Sequence, residues 1–249
     1  MSDRPVIAAF RPPGERATKA IEQIESMGCE PMLDPMIQPE PTGTHPREDA
    51  AITIFTSTTV TDLPVIESWS ADGTMVAAIG PKTAAALESL DIEVDIVPQR
   101  FTSAGLVDEL GDRVEGKRVE VARSDHGSDE LIDGLEAKGA YVHETVLYRL
   151  VRPPDAGSSI EAVIEGEIDA LAFTSSLTVK HFLELADEED RTGELMAALE
   201  GVIVGAIGPP TAETATSLGL QVDHIASEAT FESLIEELTA ELGAATRSA

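Results

Sequence analysis

Ala78-Ile79-Gly80-Pro81-Lys82-Thr83-Ala84 is repeated 128 residues further on as Ala206-Ile207-Gly208-Pro209-Pro210-Thr211-Ala212. In each copy an apolar stretch (Thr74–Ile79, Gly201–Ile207) runs into a Gly-Pro turn that opens a helical pattern. The same offset carries Ser89-Leu90 onto Ser217-Leu218, Val94-Asp95 onto Val222-Asp223, Thr102 onto Thr230 and Glu109-Leu110 onto Glu237-Leu238. Upstream, Phe55-Thr56-Ser57 returns as Phe173-Thr174-Ser175 at an offset of 118, so one connecting segment differs in length between the copies. A period this long is not that of a solenoid. It predicts two similar domains.

The rest of the chain fits the same plan. Pro5–Phe10, Cys29–Asp34, Ala51–Phe55, Thr74–Ile79, Val94–Val97 and Lys117–Ala122 read as short strands. Ile168–Phe173, Gly201–Ile207 and Gln221–Ile225 do so in the second half. Helical patterns separate them at 15–27, 82–90, 102–113, 128–138, 175–186, 210–218 and 230–243. Near-continuous apolar strands alternating with amphipathic helices predict an α/β fold with parallel sheets covered on both faces. Two Pro-rich extended stretches, Pro35–Pro41 and Thr145–Pro154, mark crossings between domains. The first comes too early to close a domain alone, so the first strand-helix-strand is expected to rejoin the C-terminal half. This gives one discontinuous domain of 1–38 plus 152–249 and a second of 42–146, with linker strands at 39–41 and 147–151. Two crossings form a hinge, and a hinge forms a cleft.

Composition bounds the function. The 249 residues carry 17 Lys plus Arg against 46 Asp plus Glu, a net charge of −29. Such a chain repels nucleic acid and anionic membranes, and no run of Lys or Arg offers a basic face. Hydrophobic residues make up 42%, which argues against disorder. No apolar run reaches transmembrane length, and the opening residues do not form a secretory signal. Cys29 is the only cysteine, which excludes an internal disulfide and any multi-cysteine zinc site. The expectation is a soluble, cytoplasmic protein. Dispersed acid with scarce Lys points to a halophilic source, a halophilic archaeon in particular, where molar salt screens self-repulsion.

Ligands of parallel α/β sheets bind beyond the carboxyl ends of the strands. Four hydroxyl-bearing turns sit there: Phe55–Thr59, Phe173–Ser176, Gly80–Thr83 and Gly208–Thr211. The last two open helices, whose first-turn amides and dipole attract anions. Each Ser or Thr could instead serve as a helix cap. Repetition of the turns in both domains points to a polyanionic ligand, with Ser57, Thr83, Ser175, Ser176, Gly208 and Thr211 as candidate contacts and Thr230, the repeat counterpart of Thr102, as a further one. Arg11, after the first strand, and Arg123, after Lys117–Ala122, are the candidate cations. Lys82, Arg149, Arg152 and Lys180 lie near the same turns. Tyr148 would stay protonated at neutral pH and could donate a hydrogen bond. Nucleotide-binding glycine loops, metal-ligand spacing among the five histidines and a GxSxG elbow are all missing. No cofactor and no metal are expected. Cleft, hinge and anion-binding turns would also suit a non-enzymatic two-domain clamp that closes on an anionic metabolite.

Taken in order, these features resemble the uroporphyrinogen-III synthase family over nearly the whole chain. The carriers are Arg11, both Phe-Thr-Ser turns, both Ala-Ile-Gly-Pro-x-Thr-Ala stretches, Val121-Ala122-Arg123 with Gly127, Val146-Leu147-Tyr148, and Ala206–Leu238. Thr58-Thr59 depart from the pattern, since many members carry a larger or basic residue there. The resemblance implies two flavodoxin-like (Rossmann-like) domains joined by a two-stranded linker. It implies hydroxymethylbilane as substrate, no cofactor, and a transient contact with hydroxymethylbilane synthase. It further implies cyclisation to uroporphyrinogen III. Loss of the terminal hydroxyl would give an azafulvene, and attack at the substituted carbon of ring D a spiro intermediate, whose fragmentation and reclosure invert the ring. Tyr148 would assist hydroxide departure, and the listed turns and cations would hold the eight substrate carboxylates.

Overall fold

A computed structural model describes residues 4–12 and 14–245. The outermost residues of the expected first domain, 1–3 and 246–249, lie outside the described residues. The chain starts with β1 (Val6–Ala9), α1 (Glu15–Ser26), β2 (Glu30–Leu33), β3 (Gln38–Pro41), β4 (Ile52–Phe55), α2 (Pro64–Glu67) and β5 (Met75–Ala78). It continues through α3 (Pro81–Glu88), α4 (Ser103–Leu110), β6 (Arg118–Ser124), α5 (Asp129–Ala137), β7 (Tyr141–Val151) and α6 (Ser158–Ile164). The remaining elements are β8 (Ala170–Phe173), α7 (Ser176–Glu188), α8 (Thr192–Ala198), β9 (Ile203–Ala206), α9 (Pro209–Ser217), β10 (His224–Ile225) and α10 (Phe231–Ala245). Two compact units result. One holds the residues up to Gln38 and those from Val151 onward, the other Pro39–Leu150.

The first unit has a five-stranded sheet in the order β10-β9-β8-β1-β2, with each of these neighbouring pairs parallel. Numbered along the chain within the unit, that is the flavodoxin-like order 2-1-3-4-5. Alternate residues bury opposite faces, as the period of a strand requires. Ala8, Phe10, Leu171, Phe173 and Val204 pack with Ile160 of α6 and Val179 and Phe182 of α7. Ile7, Ala9, Ala170 and Ala172 pack with Ala20 and Ile24 of α1 and Leu234 and Leu238 of α10. Gly205 lets α10 close on the sheet, because a Cβ there would lie 2.9 Å from side-chain carbons of Leu234 and Leu238.

The second unit has the order β3-β7-β6-β4-β5. β4 runs parallel to β5 and β6, and β6 parallel to β7. One face is covered by α4 and α5 through Leu106, Leu110, Leu131 and Leu135. The other is covered by Leu63, Ile66 and Trp69 and by Ala84 and Leu87 of α3. The two sheets are circular permutations of one another. The repeats place β4 with β8 and β5 with β9, so β6-α5-β7, late in the second unit, corresponds to β1-α1-β2 at the start of the chain. The ten-residue difference in repeat offset is also explained. Between β8 and β9 the chain builds the full helices α7 and α8, whereas between β4 and β5 it builds a 3-10 turn (Thr58–Asp62) and the single-turn α2.

The expected strand at 94–97 is corrected by the structure to one bridge, Ala77 with Ile96. The Asp95 side chain accepts the Val76 amide at 2.8 Å, and Pro98 stops extension. Its counterpart Asp223 accepts the Val204 amide at 2.9 Å, and β10 is likewise only two residues long. The expected linker strands at 39–41 and 147–151 fall in β3 and the end of β7, which are neighbours in the second sheet.

Candidate active site

In the first unit the chain leaves β1 to one side for β2 and returns on the other side as β8, so the sheet order reverses between β1 and β8. In the second unit the reversal falls between β6 and β4. Such switch points create ligand crevices beyond the strand ends. The hydroxyl-bearing turns all lie at these ends.

In the first unit, Ser175 caps α7 by accepting the Leu177 amide at 3.1 Å. Ser176 donates to the Pro210 carbonyl at 3.1 Å and accepts from the Thr214 hydroxyl at 3.0 Å. The N-terminal turns of α7 and α9 are thereby tied together. Thr214 was not foreseen from the sequence; its position four residues after Pro210 on α9 is the only signal it leaves. Thr211 is buried in the first turn of α9. Gly208 has an extended backbone, and among the described residues no atom beyond its chain neighbours lies within 4 Å of where a Cβ would stand. Neither conformation nor internal packing demands glycine there, so the open space at the α9 N-terminus is free for a ligand. Thr230 caps α10 by accepting the Ser233 amide at 3.2 Å.

In the second unit, Ser57 accepts the Thr59 amide at 3.1 Å and donates to the Thr59 hydroxyl at 3.2 Å. Thr83 is buried in the first turn of α3, which packs against the turn that Ser57 opens. Gly80 leaves no room comparable to that at Gly208, because its Cβ would lie 3.4 Å from Phe101. Tyr148 lies on β7 level with Ser124 of β6. Its ring packs with Phe55, Ala122 and Leu147, while its hydroxyl has no hydrogen-bond partner among the described residues and is not sealed from solvent. A phenol held by its ring with a free O–H can donate a hydrogen bond to a bound molecule.

The two candidate arginines behave differently. Arg123, expected to meet substrate, has its guanidinium committed inside the protein. It is 3% exposed, Nε donates to Glu144 at 2.5 Å, and Nη1 donates to the Ser128 carbonyl at 2.5 Å. Gly127 makes room for it, since a Cβ there would stand 2.4 Å from Arg123 Nε and Cζ. Arg123 therefore locks β6, β7 and the start of α5 together. Arg11 is half-buried, with its Cζ 4.6 Å from the ring centre of Phe231, and its Nε is sealed with no hydrogen-bond partner among the described residues. Burial lowers its pKa, Arg16 adds to the effect, and Glu232 opposes it. Of the neighbouring cations, Arg152 pairs with Glu188.

A family model described as uroporphyrinogen-III synthase HemD matches residues 18–236. The chain belongs to the uroporphyrinogen-III synthase family. A protein of Methanothermobacter thermautotrophicus with the provisional name uroporphyrinogen-III synthase is 33% identical over 221 residues, 82% of this chain and 86% of that protein. The uroporphyrinogen-III synthase of Synechococcus elongatus is 31% identical over 173 residues, 68% of this chain and 64% of that one. The crystal structure of uroporphyrinogen-III synthetase from Helicobacter pylori shares the fold at a TM-score of 0.64 and 16% identity, over 96% of this chain and 99% of that chain. The uroporphyrinogen-III synthase fold thus accounts for both sheets. Among the described residues there is no group of three or more His, Cys, Asp or Glu that could hold a metal. No described helix is long and apolar enough to cross a membrane.

Proposed function

We infer that this chain cyclises hydroxymethylbilane to uroporphyrinogen III with inversion of ring D, a lyase step of tetrapyrrole biosynthesis. The match to the uroporphyrinogen-III synthase family over residues 18–236 carries the reading. The substrate is a linear tetrapyrrole bearing eight carboxylates. It closes unaided to the uninverted isomer, so the protein must assist hydroxide departure and hold the chain in a geometry that free solution does not favour. Helix N-termini and hydroxyls at Ser57, Thr83, Ser175, Ser176, Gly208, Thr211 and Thr230 supply anion-binding turns in each unit. Tyr148 donates a hydrogen bond to the departing hydroxyl. Its buried ring and unpartnered hydroxyl support that role. An azafulvene forms as hydroxide leaves, and a spiro intermediate precedes inversion.

The reaction needs no cofactor. It takes place in the cytoplasm, and a transient contact with hydroxymethylbilane synthase shortens the time in which released substrate closes to the wrong isomer. The test is product identity. With hydroxymethylbilane generated in situ and products oxidised and separated, the protein should yield type III porphyrin. Type I alone, from protein shown to be folded, would leave a binding clamp without the chemistry.

A further inference from the structure

Arg11 and Arg123 stand at the same place in the two permuted sheets. The repeated Phe-Thr-Ser turns make Phe55 and Phe173 counterparts. Phe55 is level with Ala122 on β6. Ala172 pairs with Ala9, which puts Phe173 level with Phe10, and those two rings stack at 4.7 Å. Each arginine is the next residue along its strand.

Their counterions differ. On β7, Glu144 pairs with Val121, two residues before Arg123, and reaches the guanidinium. On β2 the equivalent position, paired with Ala9 two residues before Arg11, is Leu33. The first unit has thus kept the arginine without its internal carboxylate. Among the described residues no acid forms an ion pair with Arg11, although Glu232 and Arg16 lie close enough to act on its charge. Phe231 holds the guanidinium plane by a cation–π contact. A sealed Nε with no hydrogen-bond partner among the described residues is unfavourable. The Nη groups are not sealed, and they present a planar fork suited to carboxylate.

We propose that Arg11 is the carboxylate-binding arginine of the site, its two Nη groups gripping one acidic side chain of the tetrapyrrole, while Arg123 is its internally neutralised, structural counterpart. The identity of the carboxylate rests on the synthase reading; the existence of an anion site at Arg11 does not. Losing a bidentate charged contact should raise KM for hydroxymethylbilane about 10- to 100-fold in Arg11→Gln, with kcat nearly unchanged. Arg11→Lys should recover part of the loss. Leu33→Glu should mimic Arg11→Gln without touching the arginine, because it installs the counterion that Glu144 provides in the other unit.

The experiment measures thermal midpoints with and without benzenehexacarboxylate, a non-substrate polycarboxylate, at matched ionic strength, beside the KM values. Stabilisation of the wild type that is lost in Arg11→Gln and Leu33→Glu supports the site, even if the wild type makes only type I product. Type III product from the wild type with unchanged KM and unchanged stabilisation in both variants overturns the site and leaves the synthase reading intact. If Arg11→Gln does not fold, Leu33→Glu and Arg11→Lys decide in the same way. No stabilisation of the wild type, together with unchanged KM in the variants, also overturns it.

Discussion

Asp34 and Ser159, 125 residues apart, are joined by two hydrogen bonds: the Ser159 amide donates to the Asp34 carboxylate at 2.8 Å, and the Ser159 hydroxyl donates to the same oxygen. The Gly157 amide adds a third at 3.0 Å. Asp34 directly follows β2, and Ser159 lies in the first turn of α6, so a buried carboxylate seals the return of the chain to the first unit at a helix N-terminus. Asp34→Ala leaves the buried Ser159 amide and the half-buried Gly157 amide without an acceptor. It should lower unfolding stability by about 2–4 kcal/mol. The check is the urea midpoint at fixed salt with an unchanged slope. A shift within the error of the midpoint would show that the junction is not held here.

Much of this architecture could be read from the residues, for identifiable reasons. The repeats at 78–84 and 206–212 mark the same strand-turn-helix in both sheets, and local pattern sufficed. The permutation was not legible, because β1 and β6 share no repeated motif; only the register through Phe55 and Phe173 reveals their equivalence. α6 and α8 leave little trace in the sequence, because runs of seven residues carry little periodicity. The pattern at 94–97 reads as a full strand, since composition cannot show that the Asp95 side chain takes the Val76 amide. At the site, the caps at Ser57, Ser175 and Thr230 followed from residue type. The fate of Arg123 did not, because Glu144 lies on a neighbouring strand, 21 residues away.

Acid should weaken the first unit in a defined window. Glu237 on α10 accepts hydrogen bonds from His224 and from the Ser227 and Ser233 hydroxyls, which hold its carboxyl down at about 2. An unfolded glutamate titrates near ~4.3. The native state thus favours the ionised form, and its stabilising contribution is complete above the unfolded value. It is lost as pH falls from about 5 toward 2. Urea midpoints across that range should decline less steeply in Glu237→Gln than in the wild type. Identical slopes would remove Glu237 from the acid transition.

Salt should act in the opposite sense to its usual effect on surface ion pairs. With a net charge of −29, self-repulsion opposes the compact state at low ionic strength. At ~1 M salt the Debye length is ~3 Å and the repulsion is screened. The thermal midpoint should therefore climb steadily as KCl rises from millimolar to molar. A midpoint independent of KCl would contradict the halophilic reading of the composition.

Tyr148→Phe keeps the ring that packs with Phe55 and Leu147 and removes only the hydroxyl. The fold should be unchanged, and binding, read as KM, should shift little. Turnover should fall on the order of 100-fold if the phenol assists hydroxide departure. Wild-type turnover in this variant would take Tyr148 out of the mechanism.

The most direct test of the account is the isomer ratio of the product formed by the unmodified protein. Hydroxymethylbilane would be supplied continuously in molar KCl, and the porphyrins oxidised and separated by isomer. The account predicts predominantly type III, with the type I background suppressed in proportion to added protein. A type I yield unchanged by folded protein would contradict it.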